Sequence, residues 1–257
     1  FHMSLEGTDL DKLALSTEKL LAGTDSEITT VGYYCNPIQY AEHRKTLENV
    51  ICTAGKFGAT HVSTFAGAWE GKPVESAYEE FGKVFRELAD LAEEKGVKLG
   101  IENCLMDGTW EHATCNIGFN PKAWEVMFEE VKNDNFGLEW EPTHQMVQLI
   151  DPVTELRKWC KKIVHIHGKD ATIDWDAVRH SGISGAVPFV WHRMPGFGDT
   201  NWRDIISILR SNGYEDDICI EGYHDPVYSG ELEMTGQLHA LNYLKWCRGG
   251  DFTQTPW

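Results

Sequence analysis

The sequence is poor in cations. Its 257 residues hold 23 Lys and Arg against 40 Asp and Glu, a formal net charge of −17. Phosphate backbones are bound by clustered Lys and Arg, so nucleic acid is a poor partner, and the same sign argues against anionic membranes. Long apolar runs are missing; the longest are strand-length, which gives no transmembrane helix. No secretory h-region opens the chain. Paired cysteines are missing too. Seven cysteines, odd in number and scattered, form no C-x-x-C, so a reduced cytoplasmic protein is expected. What is present is ample apolar material, 42% of the residues, for one barrel-sized domain over residues 1–257.

Helix and strand patterns alternate along the chain. Residues 1–4 read as a strand tail or a cloning remnant. Asp9 caps a helix to about Leu21, with Leu10, Leu13, Leu20 and Leu21 on its apolar side. Helical spacing covers residues 42–57 and 75–95, closed by Gly58 and Gly96, and Pro121 and Pro152 open two more helices. Residues 202–210 and 237–246 read as helices, and residues 104–120 and 248–257 as irregular. Residues 171–200, rich in Gly and Pro and without periodicity, read as a long functional loop. Six apolar, β-branched strands begin near residues 28, 60, 97, 136, 163 and 217. This alternation is the signature of a parallel α/β architecture.

Four of these strands end in groups that are costly to bury: Glu102, Glu141, His167 and Glu221. Each Glu alone is readily a salt bridge or a loop carboxylate. All four at consecutive strand ends point to a shared ligand, because buried charges need partners or metals. An open sheet gathers ligands at one crevice, whereas a closed (β/α)8 TIM barrel brings every strand end to one centre. We therefore expect a barrel, with two further strands in an N-terminal segment that this chain does not carry. Three carboxylates and one imidazole suit a divalent metal ion, Mn²⁺, Mg²⁺ or Co²⁺, with Zn²⁺ also compatible.

Around that set, His144 could reach a substrate oxygen or simply start a helix. Arg193 could bind substrate oxygens or pair with one of the many acids. His165 lies a layer below His167, as Glu139 does below Glu141, and is a support for a ligand carboxylate or a core histidine. Trp69, Tyr33, Tyr34, Trp110, His112 and Trp191 could form an aromatic rim of the kind sugars favour, though ordinary packing accounts for each as well.

Ile101-Glu102-Asn103-Cys104, Glu141-Pro142-Thr143-His144, His165-x-His167-x-Lys169-Asp170, Arg193-x-Pro195-Gly196-x-Gly198 and Ile220-Glu221 together resemble the sugar phosphate isomerase/epimerase family. These are xylose isomerase-like TIM barrels, grouped as AP endonuclease family 2 and related in fold to endonuclease IV. The resemblance runs from about residue 9 to 246. It implies Glu102, Glu141, His167 and Glu221 as metal ligands, Mn²⁺ first among the candidates. It also implies Glu102 and Glu221 as an acid/base pair and His144 and Arg193 as substrate-binding residues. Glu141 departs from the pattern, standing where Asp is usual.

The function so implied is isomerisation or epimerisation of a keto sugar or related polyol. The ion would hold a carbonyl and an adjacent hydroxyl oxygen; one Glu would remove the proton between them, giving an enediolate, and the other return one. A lyase, such as an inosose dehydratase, would expel a β-hydroxyl from the same site. An endonuclease IV-like phosphodiesterase needs more His and Asp ligands and a basic groove, and a non-catalytic sugar-binding barrel would keep the fold alone. The expected partner is a small sugar, with no nucleic acid or membrane, and a homo-oligomer is compatible with the sequence.

Overall fold

A computed structural model describes residues 4–250 and residue 254. Residues 1–3, and residues 251–253 and 255–257 of the tail, lie outside the described residues. The chain forms two compact units, one of residues 1–140 with 162–165, the other of residues 141–161 with 166–257.

The first unit alternates helix and strand: α1 (Leu10–Leu21), β1 (Thr30–Gly32), α2 (Ala41–Thr53), β2 (His61–Thr64), α3 (Tyr78–Lys95), β3 (Lys98–Glu102), α4 (Pro121–Glu130) and β4 (Phe136–Trp140). Asp9 accepts the Lys12 amide and starts α1, as expected. The buried side of α1 is Leu10 and Ala14. Leu20, expected there, is 80% exposed, because ten residues on from Leu10 it is turned about 80° off that line. The strands pair in parallel with Val62 beside Leu99, Ile101 beside Leu138 and Glu102 beside Glu139. On the helix side, Phe81 and Phe85 of α3 stack at 4.6 Å, and Phe136 of β4 packs against both. All three rings are buried, each contributing about 1.5–3 kcal/mol. Asn120 caps α4 with Pro121 in its first turn, and Trp124 donates to the Gly118 carbonyl at 2.6 Å. Gly137 is the close approach in this core: a Cβ there would collide with the Lys162 carbonyl and Val164 Cγ1.

The second unit holds α5 (Pro142–Met146) and α6 (Pro152–Trp159). The strand β5 (Ile163–Gly168) follows, its first half in the first unit and its second half in the second. Then come β6 (Asp170–Ile173), α7 (Trp175–Ser181), β7 (Val190–Arg193), α8 (Trp202–Ser211), β8 (Ile218–Ile220) and α9 (Glu233–Arg248). Ile166, His167 and Gly168 pair in parallel with Ile218, Cys219 and Ile220. The sheet order is β1-β2-β3-β4-β5-β8, so the six strands read from the sequence all form. α8 buries Trp202, Ile205, Ile206, Ile208 and Leu209, and α9 buries Ala240 and Leu244. α9 starts four residues earlier than its apolar spacing suggested.

Residues 171–200 are not the structureless loop expected. β6 and β7 pair antiparallel, Asp170 with Arg193 and Ala171 with His192, and α7 lies between them. Both strands have four residues, too few to show a period, and α7 buries no residue, so it carries no amphipathic stripe. Asp170 ties the segment down. Its carboxylate accepts the backbone amides of Ala171, Gly196, Gly198 and Thr200. A side chain at Gly198 would strike that carboxylate. Among the described residues, no helix is long and apolar enough to cross a membrane.

Candidate functional site

In the second unit the sequence places Glu141 directly after β4, where Pro142 opens α5 and turns the chain. His167 sits on β5, and Glu221 follows β8, its amide bonded to the Gly168 carbonyl at 3.1 Å. These three side chains offer ligand atoms that all lie within 4.8 Å of one another. His167 Nδ1 is 3.2 Å from Glu221 Oε2 and 3.6 Å from Glu141 Oε2. Glu141 is fully buried.

Lys169 joins them. Its Nζ donates to Glu221 Oε1 at 2.7 Å and is 3.7 Å from Glu141 Oε1. Burial pushes the Glu141 carboxyl up, but Lys169 and His167 beside it outweigh burial and hold it below the usual carboxylate range. His144, one turn into α5, brings Nε2 to 3.3 Å from Glu141 Oε1. Burial, then the Lys169 charge, pushes its pKa down to about 3, so the imidazole is neutral near pH 7. Two carboxylates, Glu141 buried and Glu221 half-buried, stand against one ammonium. That excess of negative charge, with an imidazole among the donors, fits a divalent cation.

Arg193 is held in place rather than loose. Its Nε donates to Asp225 Oδ2 at 3.3 Å, and its guanidinium lies 5.7 Å from the centre of the Phe197 ring. Asp225 also accepts the amides of Met194, Val227 and Tyr228. Burial raises its carboxyl, yet these amides and then Arg193 bring it below the usual range.

The first unit carries the other expected residues. Glu102 ends β3 and is buried beside Asn103. Asn116 Nδ2 donates to the Glu102 and Cys104 carbonyls and so fixes the chain that leaves the strand. His165 is buried with Nδ1 2.7 Å from Glu139 Oε1, and Tyr34 donates to Glu139 Oε2 at 2.9 Å. Of the expected rim, Tyr33 donates to Glu6, Trp69 lies under Lys72, and His112 is exposed in a turn with Thr109.

Lys169 and Asp225 are residues of this arrangement that motif reading left without a role. Lys169 stands two residues after His167 in the sequence, but what sets it apart is its burial, at 2% exposed. A lysine is rarely so buried unless paired. Asp225 had no signal in the sequence; it is one acid among forty in the chain.

A family model described as a xylose isomerase-like TIM barrel matches residues 4–245. The chain is 26% identical over 182 residues to an inosose dehydratase of Clostridium tetani, a match covering 69% of this chain and 57% of that protein. It thus spans little more than half the length of that relative. Two solved structures share the fold. The IOLI protein with a bound zinc atom has a TM-score of 0.69 at 20% identity, covering 97% of this chain and 85% of that one. D-psicose 3-epimerase in the presence of D-fructose has a TM-score of 0.70 at 16% identity, covering 96% and 86%.

Proposed function

Because the chain belongs to the xylose isomerase-like TIM-barrel family, we propose that it is a metal-dependent enzyme that removes the proton next to the carbonyl of a keto sugar or keto cyclitol. The observation that carries this reading is the set Glu141, His167 and Glu221, the first buried and the other two half-buried, with ligand atoms within 4.8 Å of one another. These residues would hold the ion, with Glu102 as the fourth ligand that the family pattern implies. Mn²⁺ leads on the oxygen-rich donor set, and zinc is what the IOLI structure holds. When bound, the ion supplies a Lewis acid that polarises the carbonyl and its neighbouring hydroxyl.

The chain's own groups do the rest. Glu221 takes the proton from carbon and Glu102 returns one, or the reverse. Lys169 fixes Glu221 through Oε1. The neutral His144 hydrogen-bonds a substrate oxygen, and Arg193, steered by Asp225, presents its remaining N–H groups to another. Of the other residues the motifs suggested, His165 is bonded to Glu139, while Tyr33, Trp69 and His112 are engaged with Glu6, Lys72 and Thr109.

Isomerisation or epimerisation, placed first on the motifs, and dehydration share this proton removal. Lys169 favours dehydration as the second step. Its ammonium beside the base would be the proton donor to a departing β-hydroxyl, and the sequence relative named above is a dehydratase. The test is incubation with inosose and with ketohexoses in deuterated buffer, with and without added Mn²⁺. Metal-dependent deuterium incorporation is expected, with water loss from inosose. Metal-independent exchange, or no exchange with either class, overturns the reading; exchange without water loss selects epimerisation.

A further inference from the structure

The second unit holds three imidazoles in a row, of which only the first belongs to the proposed chemistry. His144 lies beside Glu141. Its ring centre is 6.3 Å from that of His192, edge to face. The His192 ring centre is 5.7 Å from that of His224, again edge to face. The row therefore leads from the carboxylate set outward to an exposed residue.

The fold fixes where both outer rings stand. His192 is carried in by the β6–β7 hairpin, where it pairs with Ala171, two residues after Lys169. Its Nδ1 is buried and makes no hydrogen bond to any described residue. A buried ring nitrogen without a partner is rare in a finished structure and points to a group yet to arrive. His224 has φ 73, the left-handed region that a non-glycine residue seldom adopts. Asp225 next to it holds that turn by accepting the Met194, Val227 and Tyr228 amides, and the Tyr223 ring lies 3.9 Å from the His224 ring. A strained residue retained in this way is a pointer to function.

We propose that His192 and His224 form a hydroxyl-binding subsite that takes the end of the substrate remote from the metal ligands and selects polyhydroxylated rings over three-carbon substrates. The proposal rests on the reading of Glu141, His167 and Glu221 as a metal-bound polyol site. A neutral imidazole has one donor and one acceptor, and a hydroxyl group is both, so each ring can satisfy one hydroxyl in either sense. A three-carbon substrate held at Glu141 and His144 ends short of His192. A six-membered ring with hydroxyls around it reaches the next imidazole.

The experiment uses the full chain loaded with Mn²⁺ and two probes that cannot be enolised, myo-inositol and glycerol, in titration calorimetry. His192→Phe keeps a ring and removes both nitrogens. His224→Gly removes the imidazole and suits the left-handed backbone, so it tests the proposal even if His192→Phe fails to fold. Each variant is expected to bind myo-inositol about tenfold more weakly, the worth of one hydrogen bond. Glycerol binding and Mn²⁺ content should not change. Unchanged myo-inositol binding in His224→Gly and in any folded His192→Phe overturns the subsite. So does equal loss of both probes, or a Mn²⁺-loaded wild type that binds no myo-inositol; each leaves the metal reading standing. A wild type that retains no Mn²⁺ removes the metal reading and the subsite with it.

Discussion

Glu221 and Lys169 form an ion pair at the centre of the proposed chemistry, and the two residues are expected to fail differently when changed. Glu221→Gln keeps the size and removes the base. Deuterium exchange into substrate should fall roughly 100-fold or more. Because Gln is also a poorer ligand, metal content is measured on the same sample; near-normal exchange with the ion bound would make Glu221 a ligand only. Lys169→Met removes a cation that competes for the same carboxylates, so the ion should be retained, while water loss drops by about 10-fold or more relative to exchange if Lys169 is the proton donor. An unchanged ratio of water loss to exchange would remove Lys169 from that role. Asp225 gives a pH signature. Its folded carboxyl is held below the ordinary value of 3.8, so its contribution is fully present above that value and is lost as pH falls through it and below. Asp225→Asn should cost about 2 kcal/mol in urea unfolding at pH 7, and the gap from wild type should narrow by pH 3. A gap independent of pH would show that the charge of Asp225 does not matter. Glu141, His167 and Glu221 were legible in the sequence because a carboxylate or imidazole at the end of an apolar strand is costly unless a partner or an ion holds it. Lys169, Asp225 and the outer histidines were not, because what distinguishes them is burial and a partner distant in sequence, such as Arg193, 32 residues from Asp225.

The segment from β6 to β7 is the element that local pattern missed, and one side chain organises it. Asp170→Ala would strip four backbone amides of their acceptor at once. A loss of about 2–4 kcal/mol is expected in urea unfolding, with proteolytic nicking between residues 174 and 200. Full stability in the variant would mean that the hairpin pairing alone holds the segment. Most other elements were legible from period and punctuation: Asp9 caps α1 with a side-chain oxygen, and Pro121 and Pro152 stand in the first turns of α4 and α6. Long helices such as α3 repeat their apolar stripe over several turns, which is why their placement was secure. An antiparallel partner some 20 residues away leaves no such trace in a four-residue strand.

For the whole molecule, family and sheet order agree with the strand–helix alternation, and the proposed divalent ion gives a test at this scale. Binding to the folded chain only should raise its melting temperature. At an ion concentration 100 times the dissociation constant the gain is about 2.7 kcal/mol. Scanning calorimetry after chelator dialysis, with and without Mn²⁺, should show the rise in wild type and its loss in Glu141→Ala; an equal rise in both would assign the effect to the acidic surface. The boundary between the two compact units falls inside β5, between His165 and Ile166. Were the halves to open with different free energies, the amide protons of Val164 and Ile166 would trade with solvent deuterium at different rates, although they lie two residues apart.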